Sequence, residues 1–536
     1  MEVAVIGSGM SGAFAAHALA LRGAHVTILD VGETLEPRRK AVVDRLHEMP
    51  AQCWPASDFA LIDDNPTYGK GVLPKKIHFG SDYIYAEDRP FAPIDTKAAG
   101  RVPYPTFAQG GFSNIWGAAV LPPDTCDMVD WPVTRAEMEP YFRKVAQLLP
   151  ICGGEGNLEP NFPAYAEPLG VLDPGPQGDA LLADLKRAQN ALLKRHTIFG
   201  KARLAVHTRD DDDHGVLACN GCGYCFTGCV RGSIYSTLPM LADLAAKHGV
   251  KHRLGVYVER LAEKDGRAIL DLVDTSSGER SSGLFDAAFV AGGPINSTRL
   301  LLRSRELYDR PVRLKESQKF VLPMLRLHGA PTATEHPSIT LASVFLETKA
   351  ETLSDHWIHA QIVPMNDMIV RTAGLAGIDH PIVGLLWKPL LRHMMAAWCG
   401  MHSDHSSAVE LRLRRAGGAA AADRLELSLL VSAQARAQAR LAAKDMFRKG
   451  LLFGTLFCYW MIKFSNPGSG THCGSSFPMK ARPTGPLDSD QLGRPFGWSR
   501  IFVVDSSVLP SIPGTTLAFS VISNAYRIAS VAPLSP

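Results

Sequence analysis

The first thirty residues constrain this chain more than any other stretch. Glu2-Val3-Ala4-Val5-Ile6 becomes an unbroken apolar run after one acid, the pattern of a strand buried on both faces. Gly7-Ser8-Gly9-Met10-Ser11-Gly12 follows at once, Ala13 to Arg22 reads as a helix, and a second strand from His25 to Leu29 ends in Asp30. A GxGxxG turn between strand and helix, with an acid closing the next strand, is the pattern of a dinucleotide site. Gly7 permits the tight turn, Gly9 lets the backbone approach a pyrophosphate, and Gly12 lets helix and strand pack closely. The helix N-terminus offers free N–H groups and a partial positive charge to phosphates. Asp30, 18 positions after Gly12, is placed to accept from ribose hydroxyls. This stretch alone leaves FAD and NAD both open.

The rest of the chain narrows the partners. Its 536 residues are enough for two large units, since single cores rarely grow so far. A net charge of +3 gives no strong field, so nucleic acid is not an expected partner. The run Arg209-Asp210-Asp211-Asp212-Asp213 reads as a solvated loop. No basic segment precedes the apolar strand at Met1-Glu2-Val3, so the expected location is cytoplasmic. Of the ten cysteines, those at 53, 126, 152, 399, 458 and 473 are scattered and read as small hydrophobes. No apolar run reaches the roughly 20 residues of a membrane span. Ile382 to Cys399 and Leu451 to Ile462 come closer. A buried helix is the reading in each case, ahead of a greasy lip making peripheral membrane contact.

The far end of the chain mirrors the start. Arg500-Ile501-Phe502-Val503-Val504-Asp505 is a second buried strand with a terminal acid, and Gly514-Thr515-Thr516 leads into a helix from Leu517 to Ala529. Three further stretches stand out: Gln109-Gly110-Gly111-Phe112-Ser113-Asn114-Ile115-Trp116-Gly117, Phe289-Val290-Ala291-Gly292-Gly293-Pro294 with Ser297-Thr298-Arg299-Leu300-Leu301, and His472-Cys473-Gly474-Ser475-Ser476-Phe477-Pro478-Met479. With the N-terminal motif and Val503-Val504-Asp505-Ser506-Ser507-Val508-Leu509-Pro510 they stand in family order. Together they resemble the glucose–methanol–choline (GMC) oxidoreductases. Residues from about 310 to 465 match only weakly.

The resemblance implies an α/β fold in which a Rossmann-type FAD-binding domain is interleaved with a β-sheet substrate domain. The FAD domain would take residues 1–125, 215–310 and 466–536, and the substrate domain 126–214 and 311–465. Ser338 to Glu347 and Trp357 to Val363 read as strands of a sheet over the flavin. Ala433 to Gly450 reads as a helix. Thr134-Arg135-Ala136-Glu137 is a capping box that opens a helix carrying Tyr141, Phe142 and Leu148.

The same resemblance supplies roles. His472 opens the "HxxGTxxM" stretch and would act as the catalytic base toward an alcohol, a task suited to a neutral imidazole. The family's second His or Asn position falls on Thr516, which offers only a hydroxyl. His402 and His405 are candidate replacements, although surface histidines are the plainer reading there. Gly110, Gly111, Ser113, Asn114 and Trp116 would form the flavin loop, with Asn114 bonding the isoalloxazine edge. Val258, Asp505 and Thr515 complete the implied cofactor contacts. Phe112 to Trp116 holds no histidine, so the FAD would be non-covalent.

Cys219, Cys222, Cys225 and Cys229 have the spacing C-x2-C-x2-C-x3-C, which in bacterial ferredoxins wraps an iron–sulfur cluster. Val230 stands where ferredoxins carry proline. A [4Fe-4S] or [3Fe-4S] cluster, bare thiols and zinc are the readings, in that order. The expected function is oxidation of an alcohol or sugar by hydride transfer to flavin, with electrons leaving to a protein or quinone acceptor. The alternatives are an oxygen-using oxidase, or a lyase or isomerase that keeps FAD without redox chemistry.

Overall fold

The structure is a computed structural model that describes residues 1–65, 76–86, 89–96, 105–350, 352–372, 387–417 and 422–534. The N-terminal pattern folds as its residues dictate. Glu2–Ile6 is a strand, buried after its first residue, and pairs in parallel with His25–Leu29 on one side and Ala287–Val290 on the other. Ile501–Val503 and Lys251–Arg253 extend this parallel sheet at its two edges. All five strands lie within residues 1–125, 215–310 and 466–536. The chain leaves the central strand toward His25–Leu29 and later returns on the opposite side. That reversal opens a crevice at the strands' C-terminal ends, where open α/β sheets bind ligands. Helix Met10–Leu21 packs against the C-terminal helix Ala518–Val531, so the two ends of the chain meet beside this crevice.

An antiparallel sheet forms a second layer. Its order is Thr455–Phe457, Lys319–Arg326, Met394–Gly400, Ile358–Pro364, Val344–Thr348 and Thr197–Lys201. Phe320, Leu322, Leu346, Ile358, Ala360 and Ile362 turn to one apolar cluster. Ala439 and Ala442 of helix Ala433–Gly450 and Leu181 and Leu185 of helix Gly175–Leu193 join the same cluster. The intervening residues face the other way, as a strand period of two requires. A third sheet ties Val312–Glu316 to Cys473–Gly474 and includes Ile94–Asp95 against Arg424–Leu430.

The local signals at helix ends hold well. At Thr134 the side chain accepts from Glu137 N at 3.2 Å, and Glu137 Oε2 accepts from Thr134 N at 2.7 Å. Helix Ala433–Gly450 has the expected bounds. Other readings need correction. Of Ser338 to Glu347, only the end is strand, Val344–Thr348. The stretch 382–386 lies outside the described residues, and Met394–Gly400 is a sheet strand rather than a buried helix. Leu451–Phe453 is one short turn before the strand Thr455–Phe457. Pairing with Lys319–Arg326 decides both segments, because a partner strand overrides local propensity. Among the described residues no helix is long and apolar enough to cross a membrane.

Candidate cofactor and active site

A cleft runs from the first glycine turn to the roof sheet and holds about 1600 Å³ of empty space, its mouth included. At its phosphate end Gly7 has φ +100°, and a Cβ there would lie 2.7 Å from Ala291 O. A Cβ on Gly12 would lie 1.9 Å from Gly7 O. Gly9 differs: its nearest foreign atom would be Gly111 Cα at 3.9 Å. The space before Gly9 is therefore open to a ligand. Ser8 braces this turn by donating its hydroxyl to Asp30 Oδ2 and accepting from Gly110 N at 2.8 Å. Asp30 lines the cleft and also accepts from Ser8 N at 3.1 Å and Gly32 N at 3.2 Å.

The predicted flavin loop lies against Gly9. Gly110 and Gly111 have φ +77° and +57°, and a Cβ on Gly111 would come within 3.2 Å of Gly9 Cα. Ser113 donates to Gly110 O at 2.6 Å and accepts from Thr237 N at 3.1 Å. Trp116 lines the cleft and donates its indole N–H to Tyr235 O at 2.7 Å. Val258 lines it with Val256 and Tyr257. Asn114 requires a correction. Its amide donates to Gln109 O at 2.9 Å and Gly111 O at 3.0 Å, and it does not line the cleft. It stiffens the loop from behind.

At the roof end stands His472. It lines the cleft, and its Nδ1 is buried without a partner among the described residues. Ser317 N holds its carbonyl at 3.0 Å. Burial, then the charges of Lys319 and His359, push its pKa well below the ordinary 6.5. The imidazole is therefore neutral. Asp505 lines the cleft and accepts from the Ser297 hydroxyl and from Ser507 N at 2.9 Å. Burial raises its pKa. Gln361 reaches the cleft from the roof. The sequence reading missed it, although the alternation Ile358-His359-Ala360-Gln361-Ile362 marks one polar face.

Thr516 lines the cleft, but its hydroxyl is engaged. Oγ1 donates to Leu121 O at 3.0 Å and accepts from Leu121 N at 2.8 Å. Its only proton is thus spent on the backbone, which leaves it no donor for a substrate. Thr515 is fully buried with no partner for Oγ1, and does not line the cleft. His402 is not a surface histidine: it is 2% exposed and stacks on His356 at 3.7 Å and 13°. Neither it nor His405 lines the cleft.

The four clustered cysteines are free thiols, as are the other six. Gly221, Gly223 and Gly228 take positive φ within their loop, and Thr340 Oγ1 accepts from Cys225 N at 3.3 Å and donates to Gly223 O at 2.9 Å. Burial pushes Cys219 and Cys222 up to about 12. Among the described residues no three of these sulfurs lie within 4.8 Å of one another. One tetrahedral zinc, with bonds of about 2.3 Å, would have to draw them closer. A cluster spreads its thiolates over several irons and is not bound by that limit. Lys76, whose pKa burial lowers to about 8, faces Cys225 and Cys229 and donates to Trp116 O at 3.1 Å. Lys76 thus links the cysteine loop to the backbone of a cleft residue.

Fold and site define a dinucleotide-binding α/β protein whose crevice is closed by an antiparallel roof sheet. Residues 5–60 match the family described as NAD(P)-binding Rossmann-like domain. No curated protein matches this chain in sequence. Among solved structures the chain is similar to pyridoxine 4-oxidase from Mesorbium loti, with a TM-score of 0.60, 14% identity and 98% of each chain covered. From end to end the chain therefore shares the fold of that structure, an α/β dinucleotide-binding layer with a roof sheet as the sequence resemblance implied.

Proposed function

We propose that this protein is an FAD-dependent oxidoreductase that oxidises an alcohol or sugar hydroxyl, with His472 as the base. The observation that carries this reading is the neutral, unpartnered imidazole of His472 in one cleft with the open cradle at Gly9. FAD bound there would supply the acceptor, taking hydride from the substrate carbon at its N5. The residues do the rest. The turn Gly7–Gly12 and the adjacent helix N-terminus bind the pyrophosphate, and Asp30 faces the ribose. Gly111, Ser113 and Trp116 line the cleft beside that turn, with Gly110 bonded to Ser8 behind them, and Val258 and Asp505 lie along the cleft. His472 takes the hydroxyl proton as the carbon–hydrogen bond gives up its electron pair. Attachment is non-covalent, because Phe112 to Trp116 offers no histidine. We assign Cys219, Cys222, Cys225 and Cys229 as ligands of an iron–sulfur cluster that passes electrons to a protein or quinone. A second reading has oxygen as the acceptor, and the similar structure's name as an oxidase favours it.

Anaerobic mixing with a panel of alcohols and sugars should bleach the flavin with at least one of them. His472→Ala should keep the flavin spectrum and slow that bleaching by about 10²–10⁴-fold. Bleaching by none of them would favour the lyase or isomerase reading, and unchanged rates in the variant would remove His472 as base.

A further inference from the structure

The roof sheet carries a row of ionisable side chains across its strands. Glu347 is in register with His359, His359 with Gly400, and Gly400 with Lys319. The row lies on the face opposite Leu346, Ile358, Ala360, Phe320 and Cys399, which turn to the apolar cluster. Glu347 and His359 are fully buried and joined through Nδ1 and Oε1 at 2.5 Å. Gly400 leaves a gap, and Lys319 fills it. A Cβ on Gly400 would sit 2.5 Å from Lys319 Nζ, 2.4 Å from Gly514 O and 3.1 Å from Ser317 Oγ. The ammonium therefore lies between Ser317, whose N–H holds the His472 carbonyl, and the turn that leads to Thr516. His472 Nδ1, His359 Nε2, Glu347 Oε2 and Ser317 Oγ are all buried without partners among the described residues. So many unpaired polar atoms in one neighbourhood point to function rather than to packing.

We propose that Lys319 is a positioning residue for His472, its ammonium over Gly400 holding the imidazole in the proton-accepting form. This rests on His472 being the base of the proposed function. A positive charge nearby disfavours an imidazolium. The other groups that act around His472 leave this charge largely uncompensated. Burial raises the Glu316 carboxyl to about 8, so at neutral pH it is mostly uncharged, and burial raises Glu347 as well, where it is spent on His359. Cys399 and Cys473 are pushed up by burial and remain thiols, and burial raises Asp505. Lys319 itself is lowered by burial to about 8, so at neutral pH most of it is charged.

The test is a histidine NMR titration of the FAD-loaded protein, the His472 resonance being assigned by its loss in His472→Gln. Lys319→Gln, which stays polar and is one atom shorter, and Lys319→Met should each move the His472 titration up by about 1–3 pH units. Midpoints unchanged in both variants, or curves flat in all three proteins, would overturn the proposal. A shift in Lys319→Met alone would mean packing rather than charge, and would overturn it too. Should Lys319→Met lose its flavin, Lys319→Gln decides alone. The outcome is separate from that of the proposed function: a His472→Ala protein that bleaches at the wild-type rate removes the base, whatever the titration shows.

Discussion

Gly7, Gly9 and Gly12 look equivalent in the motif, yet a Cβ at each meets something different. At Gly7 and Gly12 it would strike backbone carbonyl oxygens at 2.7 and 1.9 Å. Substitution there damages the fold, because backbone cannot step aside. At Gly9 no atom of the described residues comes closer than 3.9 Å, which leaves the space free for the proposed cofactor. Gly9→Val should therefore give a folded protein without flavin. Flavin absorbance should vanish while the far-ultraviolet circular dichroism and a cooperative melt remain. A yellow Gly9→Val protein would mean that the pyrophosphate lies elsewhere. This site was legible from residue spacing because strand, turn and helix start are contiguous in the chain and Gly12 meets Gly7 O, although Gly7 itself meets the distant Ala291. Thr516 was not. Its position follows from counting along the last helix, but its bond to Leu121 spans 395 positions, and no local pattern reports such a contact.

At the scale of elements, the short turn Ser403–His405 and its cap His402 show how buried histidines are held. His356 stacks on His402 and lies 3.3 Å from Asp127 and 3.8 Å from Asp404. Burial opposes its charge, but the carboxylates of Asp127 and Asp404 outweigh burial and raise its pKa from 6.5 to about 9. His402, desolvated and beside that charge, falls to about 3 and stays neutral. The folded state thus favours a protonated His356 more than the unfolded chain does. Its contribution to stability is complete below pH 6.5 and is lost as pH rises through about 9, on the order of 1–2 kcal/mol. Asp404→Asn should lower the melting temperature by a few degrees at pH 6 and by much less at pH 10. An equal deficit at both pH values would mean that packing, not charge, holds the stack. The sequence pointed to surface histidines at 402 and 405 because that polar stretch reads as a loop. What buries His402 is the segment around Ile512, whose N–H bonds Ser403 Oγ at 3.1 Å. The roof row was hidden for a similar reason. Lys319, Glu347, His359 and Gly400 become neighbours only through the register of four strands, whereas the polar face shared by His359 and Gln361 lay open in a single strand.

At the scale of the whole molecule, the fold brings the cysteine loop within electrostatic reach of Lys76, which is bonded to the cleft residue Trp116. Helix Met10–Leu21 and the cleft wall at Trp116 come from the first segment, and the thiols from the second. Lys76 joins them by facing Cys225 and Cys229 while bonding Trp116 O at 3.1 Å. Without metal the loop holds protonated thiols, since burial keeps Cys219 and Cys222 near 12. Ligation requires thiolates, so metal binding must release those protons and in return fix the loop. The Lys76 ammonium offsets part of the negative charge that results. Protein purified without oxygen should therefore be brown, with broad absorption beneath the flavin bands and with iron and acid-labile sulfide in comparable amounts. Cys225→Ser should lose the iron and keep the FAD, because the phosphate cradle is built from other segments. Its flavin should still bleach with substrate at the wild-type rate, while turnover with a quinone acceptor falls. Anaerobic protein that holds flavin and no iron would make the loop a structural wall. Oxygen would then be the acceptor to test, by the yield of hydrogen peroxide in air.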